Sequence, residues 1–185
     1  MNSHSIIRDD ELVDIVDDEG KILRRSLKSQ AHKEGLLHVT TIGCLRYGTD
    51  WAFVRQSPDR QDAGQLVNPV GGHVKAGESE IQALRRESEE EIGTPNVAHK
   101  LIGRAIFHRQ ILGRDENHLF AVYEITTDDE IVLGEEAESI ERFSESELRK
   151  ALRDNPHDFG DAFYFTFEHF YPSYLPDNYI FHWKV

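Results

Sequence analysis

Residues 79 to 93 constrain this chain more than any other stretch. Ser79 can cap a helix, an acidic residue follows in the first turn and Gly93 supplies a stop, so the spacing predicts a helix over 79–92. At about 100° per residue, Glu87, Glu90 and Glu91 share one sector of that helix, roughly 100° wide. Ile81, Leu84, Ser88 and Ile92 share another, centred about 115° away. Such a helix buries one face and presents three carboxylates from a second. Like charges held that close repel unless a cation neutralises them, and hard oxygen ligands suit Mg²⁺ or Mn²⁺. The competing reading of a bare glutamate run is a solvated helix face, and the residues before the helix decide between the two.

Around this helix the pattern is mostly strand. Glu11–Val16 and Lys21–Arg25 flank a glycine turn and read as a hairpin, as do Val39–Tyr47 and Trp51–Arg55. Ser29–Gly35 is a polar stretch, Ser57–Gly64 a loop, and Leu66–Val70 a short strand leading into Gly71-Gly72. Strands return at His99–Gln110 and His118–Ile125 around a loop at Gly113–Asn117, and again at Ile140–Phe143. Ser144 and Glu147 form a capping box that opens a helix to about Arg153. Phe163, Phe167, Phe170 and Tyr171 recur at helical spacing in an aromatic C-terminal segment.

With 185 residues the chain is sized for one domain. Its organisation reads as an N-terminal hairpin extension (1–35), a core (36–155) and an aromatic helix and tail (156–185). The net charge of −13 argues against binding DNA through its phosphate backbone. It leaves open a phosphate-containing small molecule held through cations. No apolar run approaches the roughly 20 residues that cross a bilayer, and Met1 to Asp10 do not read as a secretory signal. A lone cysteine, Cys44, excludes an internal disulfide and fits a reducing compartment, so the cytoplasm is the expected location.

Reading forward from Gly72 gives five residues, Glu78, seven more, and then Arg86-Glu87-Ser88-Glu89-Glu90-Glu91-Ile92-Gly93. This resembles the Nudix box, and Gly72, Glu78, Arg86, Glu87, Glu90, Glu91 and Gly93 all hold the residue that the box fixes. Chance would supply such a match on the order of once in ten million windows. Ser88 and Thr94 depart from it, standing where an aliphatic residue is usual; the Ser88 hydroxyl can bond back to the Leu84 carbonyl. The resemblance implies an α/β/α sandwich with a mixed β-sheet and a metal-dependent hydrolase of diphosphate linkages. It implies Glu87, Glu90 and Glu91 as metal ligands with the Gly71 or Gly72 carbonyl assisting, and Arg86 paired with Glu78 to brace the loop against the helix. Glu116 is the first candidate for the general base, with Glu90 or Glu87 second; Glu135 and Glu136 lie in another plausible loop.

A narrower likeness runs from about residue 11 to 150. Glu11–Asp17, His32–His38, Arg55–Asp59, Gly72–Glu78 and Glu116–His118 look like the branch that contains isopentenyl-diphosphate isomerase and its hydrolase relatives. In those isomerases three histidines and two glutamates hold a metal. Their counterparts here are His32, His38 and His73, with Glu116 for one glutamate and His118 for the other. The catalytic cysteine of the isomerases is Gly71, which can neither give nor take a proton. Because this chain also keeps every box glutamate, hydrolase is the favoured reading. The histidines either build an additional metal site with His118 or Glu116, or are loop and turn residues that make hydrogen bonds or face solvent; the second is the expectation.

Arg55 and Arg109, at strand ends, are the basic residues expected near the substrate. The family-level substrate is a small-molecule diphosphate, a nucleoside diphosphate joined to another group. Two destinations stand open for the tail from Tyr174 to Val185: across a neighbouring subunit in a homodimer, or over the active site. The rival of a different class is a nucleotide sensor without turnover, which the intact box disfavours.

Overall fold

The computed structural model describes residues 10–60, 62–111, 113–180 and 182. Expectations for the first nine residues, for Phe181 and Trp183 and for the chain end therefore fall outside the described residues. Along the chain come β1 (Leu12–Val16), β2 (Ile22–Leu27), α1 (Lys28–Glu34), β3 (His38–Tyr47), β4 (Asp50–Gln56), β5 (Leu66–Val67) and β6 (Val70–His73). After them follow α2 (Glu80–Ile92), β7 (Ala98–Ile111), β8 (Arg114–Thr126), β9 (Ala137–Phe143), α3 (Glu145–Asp154) and α4 (Asp161–Phe170).

β3 is the axis of the sheet. It runs parallel to β8 from His38↔His118 to Arg46↔Thr126, and antiparallel to β6 and β4. β7 and β9 extend the sheet antiparallel to β8 and β4, and β1 joins the N-terminal hairpin to β3 through Ile15↔His38. A strand covered on both faces should be buried along most of its length, and eight successive residues of β3 are buried or nearly so. On one face α2 packs Leu84 and Ile92 against Leu45, Val70, Ala121 and Ile125. On the other, α3 and α4 pack Leu148, Leu152, Phe163, Phe165 and Phe167 against Trp51, Phe53, Phe107 and Phe120. The result is the expected α/β/α sandwich on a mixed sheet.

Local chemistry explains where these elements start and stop. Ser79 accepts from the Gln82 amide while Gln82 caps the Ser79 amide, and Gly93 closes α2 at φ +79. Ser144 and Glu147 make the equivalent reciprocal cap on α3. The polar stretch Ser29–Gly35 is in fact most of α1. Its N-cap residue Leu27 offers no side-chain cap; Asp10, from ahead of β1, accepts from the Ser29 amide at 3.2 Å, and burial of Ala31 with Val13 and Ile15 holds the helix, tertiary contacts that periodicity over seven residues does not reveal. Leu66–Val70 divides at Asn68-Pro69 into β5 and the start of β6, as a residue without a backbone N–H dictates. Of the expected loop at Gly113–Asn117, only Gly113 lies in a turn; Arg114–Asn117 is β-ladder, because β7 and β8 stay paired out to Ile111↔Arg114. A cross-strand ion pair of Arg109 with Glu116 and a hydrogen bond between His108 and Asp115 offset the polarity that suggested a loop.

The described part of the tail folds back on its own chain. Tyr179 donates to buried Glu168 of α4 at 2.7 Å and stacks on Tyr164, and the His182 amide donates to the same carboxylate.

Candidate active site

The C-terminal half of α2 and the glycines of β6 form one wall of a cleft of about 860 Å³. Gly71, Gly72, Arg86, Glu87, Glu90 and Glu91 all line it. Their approach is so close that a Cβ at 72 would lie 2.0 Å from the Glu87 carboxyl carbon, so any residue but glycine there must displace that side chain. The Gly71 amide donates to Glu91 Oε2 at 2.8 Å. Burial pushes the Glu91 carboxyl well above its usual range despite that bond. Glu87 is raised too, by burial first, with Arg86 opposing and the neighbouring Glu90 adding to it. Two buried carboxyls resisting ionisation beside a third, solvent-exposed one are chemically suited to a divalent cation, which supplies the charge that burial withholds.

The expected brace is present. Arg86 reaches Glu78 through Nε at 3.0 Å and Nη2 at 2.9 Å, a two-pronged pair, and Nη2 also donates to the His73 carbonyl at 3.0 Å. Its Nη1 contacts Glu87 and lies 3.8 Å from Glu90. One guanidinium thus ties the loop, β6 and the glutamate face together. Burial works against the Arg86 charge, but the bonds from Glu78 and Glu87 prevail and raise its pKa. Ser88 is fully buried and donates to the Leu84 carbonyl at 2.7 Å, while buried Thr94 bonds Asp129. Both departures from the box have their hydroxyls satisfied, Ser88 inside the core and Thr94 by exposed Asp129, away from Glu87, Glu90 and Glu91.

Other expected residues lie elsewhere. Arg55 is absorbed by Glu141 (2.7 Å) and the Gly64 carbonyl and is not among the cleft-lining residues. Arg109 does line the cleft, but it bonds Glu116 at 2.8 Å, Asp62 at 3.1 Å and Asp161 at 3.1 Å. Glu116 is therefore a buried strand residue in an ion pair, not a loop carboxylate. Glu135 and Glu136 do line the cleft, from the loop before β9. Sequence reasoning missed Glu11, Lys28, Arg60 and Arg114, which the hairpin, α1, the β4–β5 loop and β8 bring to the rim. Only the fold makes them neighbours.

A second polar cluster adjoins this wall. His32 on α1, His38 on β3, His73 on β6 and His118 on β8 offer ring nitrogens that all lie within 4.8 Å of one another. They are element residues, not the loop and turn residues expected. Burial lowers the pKa of all four, that of His38 to about 4, so the rings are neutral near pH 7.

The NUDIX domain family matches residues 37–164, most of the chain. An uncharacterized Nudix hydrolase of Yersinia pestis is 30% identical over 102 residues, covering 54% of this chain and 56% of that protein. Another from Streptomyces coelicolor is 37% identical over 94 residues, covering 48% and 50%. The matched stretch spans about half the length of these curated relatives. Among solved structures, DR0079 from Deinococcus radiodurans superposes with a TM-score of 0.65 at 20% identity, covering 87% of this chain and 99% of that one, a likeness of fold. A box that holds its fixed residues, a cleft that gathers Glu87, Glu90 and Glu91, and a family match across the core together place this chain in the Nudix family.

Proposed function

We propose that this chain hydrolyses a diphosphate linkage, in a nucleoside diphosphate joined to another moiety, with Mg²⁺ or Mn²⁺ held by Glu87, Glu90 and Glu91. The observation that carries the reading is the set of three glutamates on one wall of the cleft, two of them resisting ionisation, braced by the Arg86–Glu78 pair. A carbonyl of Gly71 or Gly72 completes the donor set. When bound, the metal neutralises phosphoryl oxygens and lowers the pKa of an attacking water. The chain itself fixes geometry: Gly72 lets β6 lie against Glu87, the Gly71 amide orients Glu91, and Arg86 holds Glu87 in place.

Glu90, the most exposed of the three carboxylates, is the base candidate within reach of cleft water, with Glu135 and Glu136 on the same cleft. Glu116 is tied to Arg109 and would have to break that pair to serve. Isomerase chemistry is disfavoured because Gly71 offers no proton-transferring group.

The test is release of phosphate or nucleoside monophosphate, with Mg²⁺ or Mn²⁺, across nucleoside diphosphate sugars, dinucleotide cofactors, nucleoside triphosphates and isopentenyl diphosphate. Turnover should require the metal and fall by at least about a thousandfold in a Glu90→Gln, Glu91→Gln double variant. Tight nucleotide binding with no turnover would favour the sensor instead, and isomerised isopentenyl diphosphate would overturn the hydrolase reading.

A further inference from the structure

The four-histidine cluster has a geometry that hydrogen bonding leaves unexplained. His32 Nε2 lies 3.2 Å from His73 Nε2 and 3.2 Å from His118 Nε2. A neutral ring carries one N–H, so His32 Nε2 can serve at most one of these two neighbours as donor. His38 is fully buried; its Nδ1 donates to the Leu36 carbonyl at 2.7 Å, which leaves a bare Nε2, and that atom has no hydrogen-bond partner among the described residues. Bonds of about 2.0–2.1 Å from a tetrahedral ion place adjacent nitrogens about 3.3–3.4 Å apart. The two observed separations sit close to that value. The Leu36 carbonyl fixes the His38 tautomer as second partners of metal-bound imidazoles do.

We propose that His32, His38, His73 and His118 hold one divalent transition-metal ion of the zinc class, in a site separate from the glutamate ions, which fastens α1 to the sheet. The set is four neutral nitrogens. Glu116, two positions before His118 on the same strand face, is committed to Arg109 at 2.8 Å. This departs from the three-histidine, two-glutamate set of the isomerases. An uncharged all-imidazole set favours Zn²⁺, Co²⁺ or Ni²⁺ over Mg²⁺, which demands oxygen ligands and gives up water reluctantly. The place fits a structural role. α1 has only seven residues, its N-cap residue Leu27 offers no side-chain cap, and its first turn is held from outside by Asp10; His32 is the ligand it would contribute, while β3, β6 and β8 supply the other three.

Co²⁺ is the probe, added to the metal-free full chain in the presence of millimolar Mg²⁺. One Co²⁺ per chain should bind, with the intense visible absorbance of a tetrahedral nitrogen site, and Zn²⁺ should displace it. A Glu87→Gln, Glu90→Gln, Glu91→Gln triple variant should keep this signal; His32→Ala should weaken binding at least tenfold. His118→Glu, which puts a carboxylate in the set, should shift preference toward Mn²⁺ and guards against a variant that merely misfolds. Hydrogen exchange of the 28–34 amides should slow on Zn²⁺ loading in the parent chain but not in His32→Ala. Absence of the absorbance, or its loss in the glutamate variant with retention in His32→Ala, would overturn the proposal.

Discussion

At the scale of single residues, two positions carry more of the site than their size suggests. Gly72 has no side chain to contribute, and that is its use: a methyl group would occupy the space of the Glu87 carboxyl. Gly72→Ala should leave the fold largely intact, since the obstruction is a side-chain end, but should displace Glu87, a proposed metal ligand, by about 1 Å. Misplacement of that order costs on the order of a hundredfold in rate. Parallel turnover and thermal melts check this, and a large drop in Tm with normal specific activity would refute it. Arg86 is the second. Arg86→Lys keeps the charge and loses the fork that grips Glu78 at two oxygens, so stability should fall by about 1–3 kcal/mol, or several degrees in Tm. Because the same guanidinium touches Glu87 and the His73 carbonyl, kcat should fall with it. A lysine variant with parental Tm and kcat would mean that the brace is incidental.

Among the elements, α2 shows how much a local signal can predict. Its cap, its stop and its two faces are all written within fifteen residues, and the structure places each where the spacing put it. Ser79→Ala should lower stability by about 1 kcal/mol, seen as a shift in urea midpoint without a change in slope. Legibility fails where a contact between distant segments decides. Ser29–Gly35 looks polar because only Ala31 and His32 of α1 are buried, beneath a hairpin that precedes it. Glu116 looks like a loop residue because its neutralising partner, Arg109, lies across a ladder whose length the sequence does not state. Arg55 reads as a free cation for the same reason: Glu141, its partner, is on β9. The glutamate wall is thus legible and the opposite rim is not. α4 is the converse case, since its aromatic spacing announces burial but not against what. Phe163 stacks on Phe167 at 4.2 Å and meets Phe53 of β4 edge-on at 5.1 Å, so Phe163→Ala should cost about 3–5 kcal/mol. A loss below about 1 kcal/mol in denaturant titration would show that α4 can collapse into the space.

For the whole molecule, β3 decides whether the sandwich opens in parts or all at once. It is paired with β8 along nine positions, carries β4 and β6, and receives the N-terminal hairpin through β1. Cys44 sits in its middle, fully buried among the aromatic side chains that join β4, β7 and α4 to the sheet. Burial pushes its thiol well above the usual range, and the nearby Glu124 adds to the shift, so the thiolate that reacts with disulfide reagents is scarce in the native state. Reagent can reach it only if the α3–α4 layer lifts or the sheet comes apart. If the layers form one cooperative unit, labelling tracks global stability. For a domain stable by at least about 5 kcal/mol, the native rate is then at least about a thousandfold below that of the unfolded chain. The rate should rise with urea along the slope of global unfolding measured by circular dichroism. Labelling insensitive to low urea, with a shallow slope, would instead locate a local opening of the C-terminal helices. The tail anchored on Glu168 would then be a separate, weaker layer on an otherwise intact Nudix core.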